Sequence, residues 1–565
     1  MQPATWQNHM HAPSPSVARK HTFLILTILT VSAFFLRVHE LSSAGFAEDE
    51  AHKLMAIESY LQGDFTEDAD HPMLMKVLGA GMIVFARHWN QAAPDYDLPQ
   101  ISDEFAIRFP NVLFGALTTV PLYFLARDLF GWSAGILSAL LWAIGINSIV
   151  YNRIAKEDTL LVFFLLQAFY FYYRAKNVNP RDTRVETRWF CAAGAAFGMM
   201  LASKYFLHFL AFNFLYYYLA GRVGLDRHPM SRRQQLVFFG TFGFVFLILN
   251  AAILQPEVWT YLLSYVREGT MTHHGYLMMG KIYYNGISHF LEGLPVYFYV
   301  LYLLVKLPIL LLLGLTVGLV LAWKGRKTHP GCLFLLVNFG MWFVSFSFVP
   351  GKWSRYTLSL MPWVYMLAAL GFVWILVGAG RWVEQWKKYP VPGEWVLLSG
   401  ASLIAVILLI PIYRTAPHYG LFVNWLGGGS KGVGYYFPHD DFYDAGVREA
   451  IAFVARNSPP GSTIVSDTPN AVQYYTNRFG RPDLFQTSFC DKNPALNDHN
   501  YVLYQEGRRY FENDRILQAI RRSFRPIEEV RALSYTAVQI YEIDKTVGAL
   551  LVSNESFYNQ AVKND

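Results

Sequence analysis

The residues best equipped for chemistry crowd one short stretch near the N-terminus, DEAHKLMAIESYLQGDFTEDADHPMLMK, which holds Asp49, Glu50, His52, Asp68, Asp70, His71 and Lys76. A carboxylate can take a proton from a hydroxyl, an imidazole can relay or orient it, and an ammonium can bind an anion, so this stretch contains the parts of a general-base centre. An acidic pair ahead of an apolar run is also the ordinary mark of a helix start, where the backbone N–H groups favour negative charge. What tips the balance toward chemistry is the company of His52, Asp68, Asp70, His71 and Lys76 in the same segment.

Further ionisable residues recur beside apolar runs. Arg153-Ile-Ala-Lys-Glu-Asp158 precedes Thr159-Leu-Leu-Val-Phe-Phe, Lys204 stands alone between two apolar segments, and Lys352 and Arg355 fall in Pro350-Gly-Lys-Trp-Ser-Arg-Tyr356. A charge so close to hydrocarbon is costly unless paired or functional. Asp158 is therefore a candidate for a role in a reaction cavity, and Lys204, Lys352 and Arg355 for contacts to an anionic headgroup. Their structural alternatives are salt-bridged helix starts and interfacial anchors. Glu257, His273, His274 and His289 share one later loop, but adjacent histidines do not share a helical face, so no divalent metal or other cofactor is supported. Cys191, Cys332 and Cys490 are too far apart for a CxxC site or a disulfide framework.

The elements that must position these groups are set by composition. Of 565 residues, 53% are hydrophobic and only 16% charged, with a mean hydropathy of +0.23, which marks a polytopic membrane protein. Eleven spans are expected, near 21–41, 104–126, 131–150, 158–175, 189–203, 205–221, 235–254, 295–323, 331–349, 357–379 and 395–413. The net charge of +6 follows topology and not nucleic acid, because Lys and Arg gather in alternate loops, as they do on the cytoplasmic side. Arg174–Arg188, with Arg181, and Gly221–Gln235, with Arg227, are two such loops; Lys324–Lys327 and Arg381–Lys388 are the others. This arrangement predicts an integral inner or plasma membrane protein with a cytoplasmic tail at 1–20, a membrane domain at 21–426 and a first outer loop at 42–103. Within that loop Leu54, Ile57, Leu61 and then Leu74, Val77, Leu78 recur at helical spacing, predicting two surface helices joined at His71-Pro72. A flexible Gly-Gly-Gly-Ser-Lys-Gly linker is expected from Gly427, and residues 427–565 form an extracytoplasmic α/β domain without a catalytic motif. Its expected strands are Thr463–Ser466, Tyr501–Gln505 and Ala537–Ile543, and its expected helices Tyr443–Asn457 and Asp514–Ser523.

The first loop resembles that of the protein O-mannosyltransferase family, GT-C glycosyltransferases that use polyprenyl-phosphate sugars. The family pattern is an acidic pair, His at two residues' distance, Tyr, Gly-x-Phe, then Asp-x-His-Pro-x-Leu-x-Lys. This chain has Asp49-Glu50-Ala-His52, Tyr60, Gly63-Asp-Phe65, then Asp68 or Asp70 with His71-Pro72-Met73-Leu74-Met-Lys76. It departs by one inserted residue before His71 and by Met73 where a second Pro is common. Arg108-Phe-Pro, Asp158, Ala202-Ser-Lys204 and Lys352 to Arg355 resemble the wider group that includes the aminoarabinose transferases. The resemblance implies a GT-C fold and an inverting transfer of mannose or a similar sugar from a polyprenyl-phosphate donor to a hydroxyl of a protein, polysaccharide or lipid. It makes Asp49 the base, with Glu50 and Asp158 assisting. His52, Asp70, His71 and Arg108 would bind substrate, and Lys76 would hold the lipid phosphate with Lys204, Lys352 and Arg355. The competing reading is a transporter or flippase of lipid-linked sugars, against which the charges cluster at one membrane face instead of at the midplane.

Overall fold

A computed structural model of the chain describes residues 16–178, 182–225, 229–267, 273–286, 292–349, 351–387 and 393–562. Residues 1–15 of the N-terminal tail, Arg181, Arg227, His289, Pro350 and Lys388 lie outside the described residues, as do the side chains of His273 and His274.

Helices occupy every expected apolar stretch. Among the described residues, five are long and apolar enough to cross a bilayer: His21–Val38, Asp103–Phe130, Pro330–Ser347, Met361–Val383 and Trp395–Thr415. Trp132–Ala143 and Ile146–Asn152, bent by 53° at their junction, make a sixth if taken as one span. The stretch expected at 295–323 is two helices, Phe298–Lys306 and Ile309–Gly325, separated at Pro308, whose ring cannot donate to the helical ladder. The short pair expected at 189–221 is likewise two helices, Thr183–Ser203 and His208–Arg222, and Lys204 between them is extended (φ −154°, ψ 139°).

Small residues let these helices touch through their backbones. A Cβ built on Gly318 would lie 1.8 Å from the Leu367 carbonyl oxygen, and one on Gly371 would lie 2.1 Å from that of Gly314. The helices Ile309–Gly325 and Met361–Lys387 are thus in direct contact along their length.

The two expected first-loop helices are Glu48–Leu61 and Met73–Ala92, with Pro72 at the start of the second in extended conformation. The later outer loop contains a helix, Pro256–Arg267, and a hairpin of β1 (His273–Met278) and β2 (Lys281–Asn285) that the sequence did not suggest.

Beyond the spans, β3 (Thr463–Val465), β4 (Phe485–Thr487), β5 (Asn500–Tyr504), β6 (Glu528–Ala532) and β7 (Tyr535–Ile543) form one mixed sheet in the order β4-β3-β5-β7-β6. The three expected strands are β3, β5 and β7. Of the expected helices, Asp514–Ser523 is present and the other begins at Val447, because Tyr443 and Asp444 adopt positive φ.

The flexible linker expected from Gly427 is not there. Trp425–Gly427 and Gly429–Gly432 are tight 3₁₀ turns, with Gly428 and Gly429 at positive φ that glycine adopts without strain. The Asn424 amide ties this turn to the membrane domain by donating to the carbonyls of Leu304 and Leu307 at 2.6 and 2.7 Å. One continuous apolar core runs from the spans into the sheet, including Ile57, Trp142, Tyr365, Tyr475 and Ile540. The C-terminal domain is therefore seated on the membrane domain.

Replacing Gly318 by Val should cost about 2 to 3 kcal/mol of stability by overpacking. Thermal unfolding in detergent, read against Gly340→Val, where a Cβ meets nothing within 4 Å, checks this; equal midpoints would contradict the close helix contact.

Candidate functional site

Three successive acids, Glu48, Asp49 and Glu50, form the first turn of the helix Glu48–Leu61. A helix advances about 100° per residue, so consecutive side chains must point in different directions. Here each direction has its own destination.

Glu48 points to the C-terminal domain. Its carboxylate accepts from the backbone N–H groups of Asn470 and Ala471 at 3.0 and 3.1 Å, and so caps the helix Pro469–Arg478 from another part of the chain. Glu50 points into the membrane domain, where Arg108 donates to it from Nε at 2.9 Å and Nη2 at 2.5 Å. It also accepts from the backbone N–H groups of Ala155 and Ala47, at 2.9 and 3.2 Å. The rest of the Arg108 guanidinium donates to the carbonyls of Leu41, Ala44 and Gly45. Glu50 and Arg108 thus satisfy one another in the interior. The expectations that Glu50 assists catalysis and that Arg108 binds substrate are corrected accordingly: at 1% and 6% side-chain exposure, the two are spent mainly on each other and on backbone groups.

Asp49 is left facing open space. Its carboxylate lies 3.1 Å from Lys156 Nζ and 3.2 Å from an Arg355 guanidinium nitrogen. Among the three expected catalytic carboxylates its side chain is 41% exposed, against 1% for Glu50 and 4% for Asp158. Asp49 lines a cavity of about 310 Å³. Burial alone would raise the Asp49 pKa, but Lys156 and Arg355 outweigh it and hold the group well below the usual carboxylate range. Trp353 and Arg355 line the cavity beside Asp49, and His439, Asp467, Gln486, Arg508 and Tyr510 face them from the C-terminal domain.

The other expected residues of the loop form a second, closed cluster. Lys53, which the sequence did not single out, is paired with both Asp68 and Glu157. His71 Nδ1 lies 2.9 Å from Asp70 and 3.1 Å from Asp68, and Tyr261 donates to Asp70 at 3.3 Å. His52 Nε2 is 2.8 Å from Glu67. The Lys76 ammonium donates to the carbonyls of Asp68 at 2.5 Å and His71 at 2.9 Å and is wholly buried. Burial lowers its pKa to about 8. The expectation that Lys76 holds a lipid phosphate is therefore corrected, since its hydrogen bonds are used inside the chain and nothing opens onto it. Asp68, His71 and Glu157 are close enough to share a cation, but the Lys53 ammonium already supplies that charge.

The remaining cations divide. Lys204 pairs with Asp158 at 2.7 Å beneath the Tyr356 ring, so the two neutralise each other away from the cavity. Lys352 donates to the carbonyls of Leu294 and Val349 at 2.9 and 2.6 Å and is buried, and so serves its own loop. Of the cations proposed for phosphate, Arg355 alone reaches the cavity. Lys156, salt-bridged just ahead of the helix Asp158–Lys176, is the Asp49 partner that the sequence did not single out. His439, Asp467, Gln486 and Arg508 were missed altogether, for they sit in separate elements of the C-terminal domain with no common spacing.

Two stability outcomes follow. Glu50→Ala leaves the Arg108 charge buried without its partner, which should cost about 3 to 5 kcal/mol and be seen as loss of folded chain in detergent, whereas Asp49→Asn should fold normally. His71 is raised above its ordinary value of 6.5: burial opposes this, but Glu157 and Asp68 prevail. A raised histidine stabilises fully below its unfolded value and loses that contribution as pH rises through the folded value. The unfolding midpoint should therefore fall as pH rises above 6.5, and His71→Gln should flatten that fall.

Residues 100–265 match the family model described as dolichyl-phosphate-mannose-protein mannosyltransferase. No curated protein matches the chain by sequence. Among solved structures, the chain is similar to ArnT from Cupriavidus metallidurans bound to undecaprenyl phosphate, with 12% identity over 94% of this chain and 99% of that one and a TM-score of 0.49. It is also similar to the oligosaccharyltransferase AglB from Archaeoglobus fulgidus in complex with an inhibitory peptide and a dolichol-phosphate, with 13% identity over 83% and 65% of the two chains and a TM-score of 0.48. The S. cerevisiae Pmt1-Pmt2 complex bound to the sugar donor shares 23% identity over 44% of this chain and 33% of that one, with a TM-score of 0.30.

Proposed function

We propose, from the match of residues 100–265 to the dolichyl-phosphate-mannose-protein mannosyltransferase model, that the chain is a glycosyltransferase that transfers a monosaccharide from a polyprenyl-phosphate donor to an acceptor hydroxyl at the outer membrane face, with Asp49 as the base. The observation that carries this reading is that Asp49 alone of the three candidate carboxylates opens onto the cavity, while Glu50 and Asp158 are consumed by Arg108 and Lys204.

A polyprenyl phosphate leaves as an already stabilised anion, so the reaction needs no acid on the leaving side, in contrast to glycoside hydrolysis with its two carboxylates. The acceptor O–H proton passes to Asp49 as the acceptor oxygen bonds to the anomeric carbon. The bond from that carbon to the phosphate oxygen breaks on the opposite face, inverting the centre, and its electron pair leaves with the phosphate. Of the groups that hold Asp49 low, Arg355 and Arg508 line the cavity and are the cations available to the growing negative charge. Drawing them toward a phosphate also weakens their hold on Asp49 and raises its basicity when the donor is present. Mannose is the first choice of sugar by resemblance.

Asp49→Asn should leave the fold intact and reduce transfer from polyprenyl-phosphate mannose into endogenous membrane acceptors by about 10²- to 10⁴-fold, the usual worth of a general base. Wild-type turnover in that variant would remove Asp49 from the role. Mass spectrometry of envelope proteins and glycolipids from cells with and without the gene then identifies the acceptor class by where the hexose is lost.

A further inference from the structure

Apart from Arg508, the reaction uses only the membrane-side wall of the cavity, yet the opposite wall is built from the C-terminal domain and is strongly polar. Resting on the reading of Asp49 as base, we propose that this wall is the acceptor site and that it takes a saccharide, whose ring hydroxyl it presents to Asp49.

Volume is the first argument. About 310 Å³ lies at the lower end of the range for small-ligand pockets, roughly 300 to 1,000 Å³, which suits one or two sugar rings. Lining is the second. Trp353 and Tyr510 supply aromatic surface, and Asp467 and Gln486 supply planar hydrogen-bonding groups. A pyranose presents those same two kinds of surface, apolar C–H faces and a rim of hydroxyls.

These polar groups are fixed before any ligand arrives. The Gln486 amide donates to the Ser466 carbonyl at 2.9 Å, and Asp467 accepts from Asn513 at 2.7 Å as well as from Ser488. Arg508 is held by Asp444 and donates to the Tyr510 hydroxyl at 3.1 Å. Preorganisation of this kind lowers the entropy lost on binding.

A peptide acceptor fits less well. The strand bordering the cavity through Gln486 is β4, an edge strand, and an extended peptide could pair with such an edge. However, β4 has only three residues, about 10 Å of strand, too short to register a peptide.

Binding of methyl hexopyranosides to the full chain in detergent, followed by saturation-transfer NMR, tests the proposal without requiring turnover. Its failure is thus separable from failure of the base assignment. Saccharide binding is expected in wild type and in Asp49→Asn, with affinity at least tenfold weaker in Gln486→Ala and in the cavity-filling Cys490→Phe. A Ser/Thr-containing octapeptide should show no comparable signal. In Asp49→Asn saturated with polyprenyl-phosphate mannose the methyl glycoside should stay bound. Its displacement would mean that the cavity holds the donor's own sugar. That result, peptide binding in place of saccharide binding, no saccharide binding at all, or unchanged affinity in both variants would each overturn the proposal.

Discussion

The site depends on one buried ion pair. Arg108, inside the span Asp103–Phe130, grips Glu50 on one side and the carbonyls of Leu41, Ala44 and Gly45 on the other. That guanidinium joins the end of the first span, the start of the first-loop helix and the second span at a single point. Arg suits the position because its planar fork serves a carboxylate and several carbonyls at once, which a lysine could not. With Glu50 fixed, the helical turn leaves Asp49 and Glu48 no choice of direction. Asp49 must face Lys156 and Arg355, and Glu48 must face the C-terminal domain.

The C-terminal domain is then held by the same turn. Glu48 caps the helix Pro469–Arg478, the Tyr475 hydroxyl accepts from the Phe46 N–H at 2.7 Å and donates to Glu104 at 2.9 Å, and Arg448 donates to the carbonyls of Ser42 and Ser43. Gly45 permits the approach, because a Cβ there would lie 2.5 Å from that of Arg448. A loop that carries a base and also seats a domain couples the two. Any shift of the domain moves the wall facing Asp49.

How far the sequence could be read follows from the range of each interaction. Apolar runs, the two first-loop helices and the strands β3, β5 and β7 are local patterns and were legible. Asp49 was singled out as base only through a family resemblance, since local spacing does not distinguish it from the acids beside it. What separates it from Glu50 is a contact with Arg108, 58 positions away, which no local pattern carries. Lys76 was misread for the same reason: a lysine beside acids looks like a phosphate ligand until the carbonyls of Asp68 and His71 are seen to close around it. The Gly-Gly-Gly-Ser stretch was misread as a tether because composition reports freedom of the unfolded chain, while Asn424 and its two carbonyl partners determine the fold.

A carboxylate held well below its ordinary pKa is at first sight a poor base. Of the two cations chiefly responsible, Lys156 and Arg355, Arg355 lines the cavity, and on the proposed reading it would meet an anionic leaving group there. The opposed charges stabilise one another until an anion competes for the cations. Without this pairing, an unpaired Asp49 in a confined cavity would be driven toward protonation by burial, which is the largest single influence on it. The same pairing thus keeps Asp49 ionised, and on the proposed reading a phosphate competing for Arg355 would loosen it. Lys204 and Asp158, paired only with each other beneath Tyr356, have no such exchange open to them. Opening onto the cavity is therefore what separates the pair at Asp49 from the buried charge pairs around it.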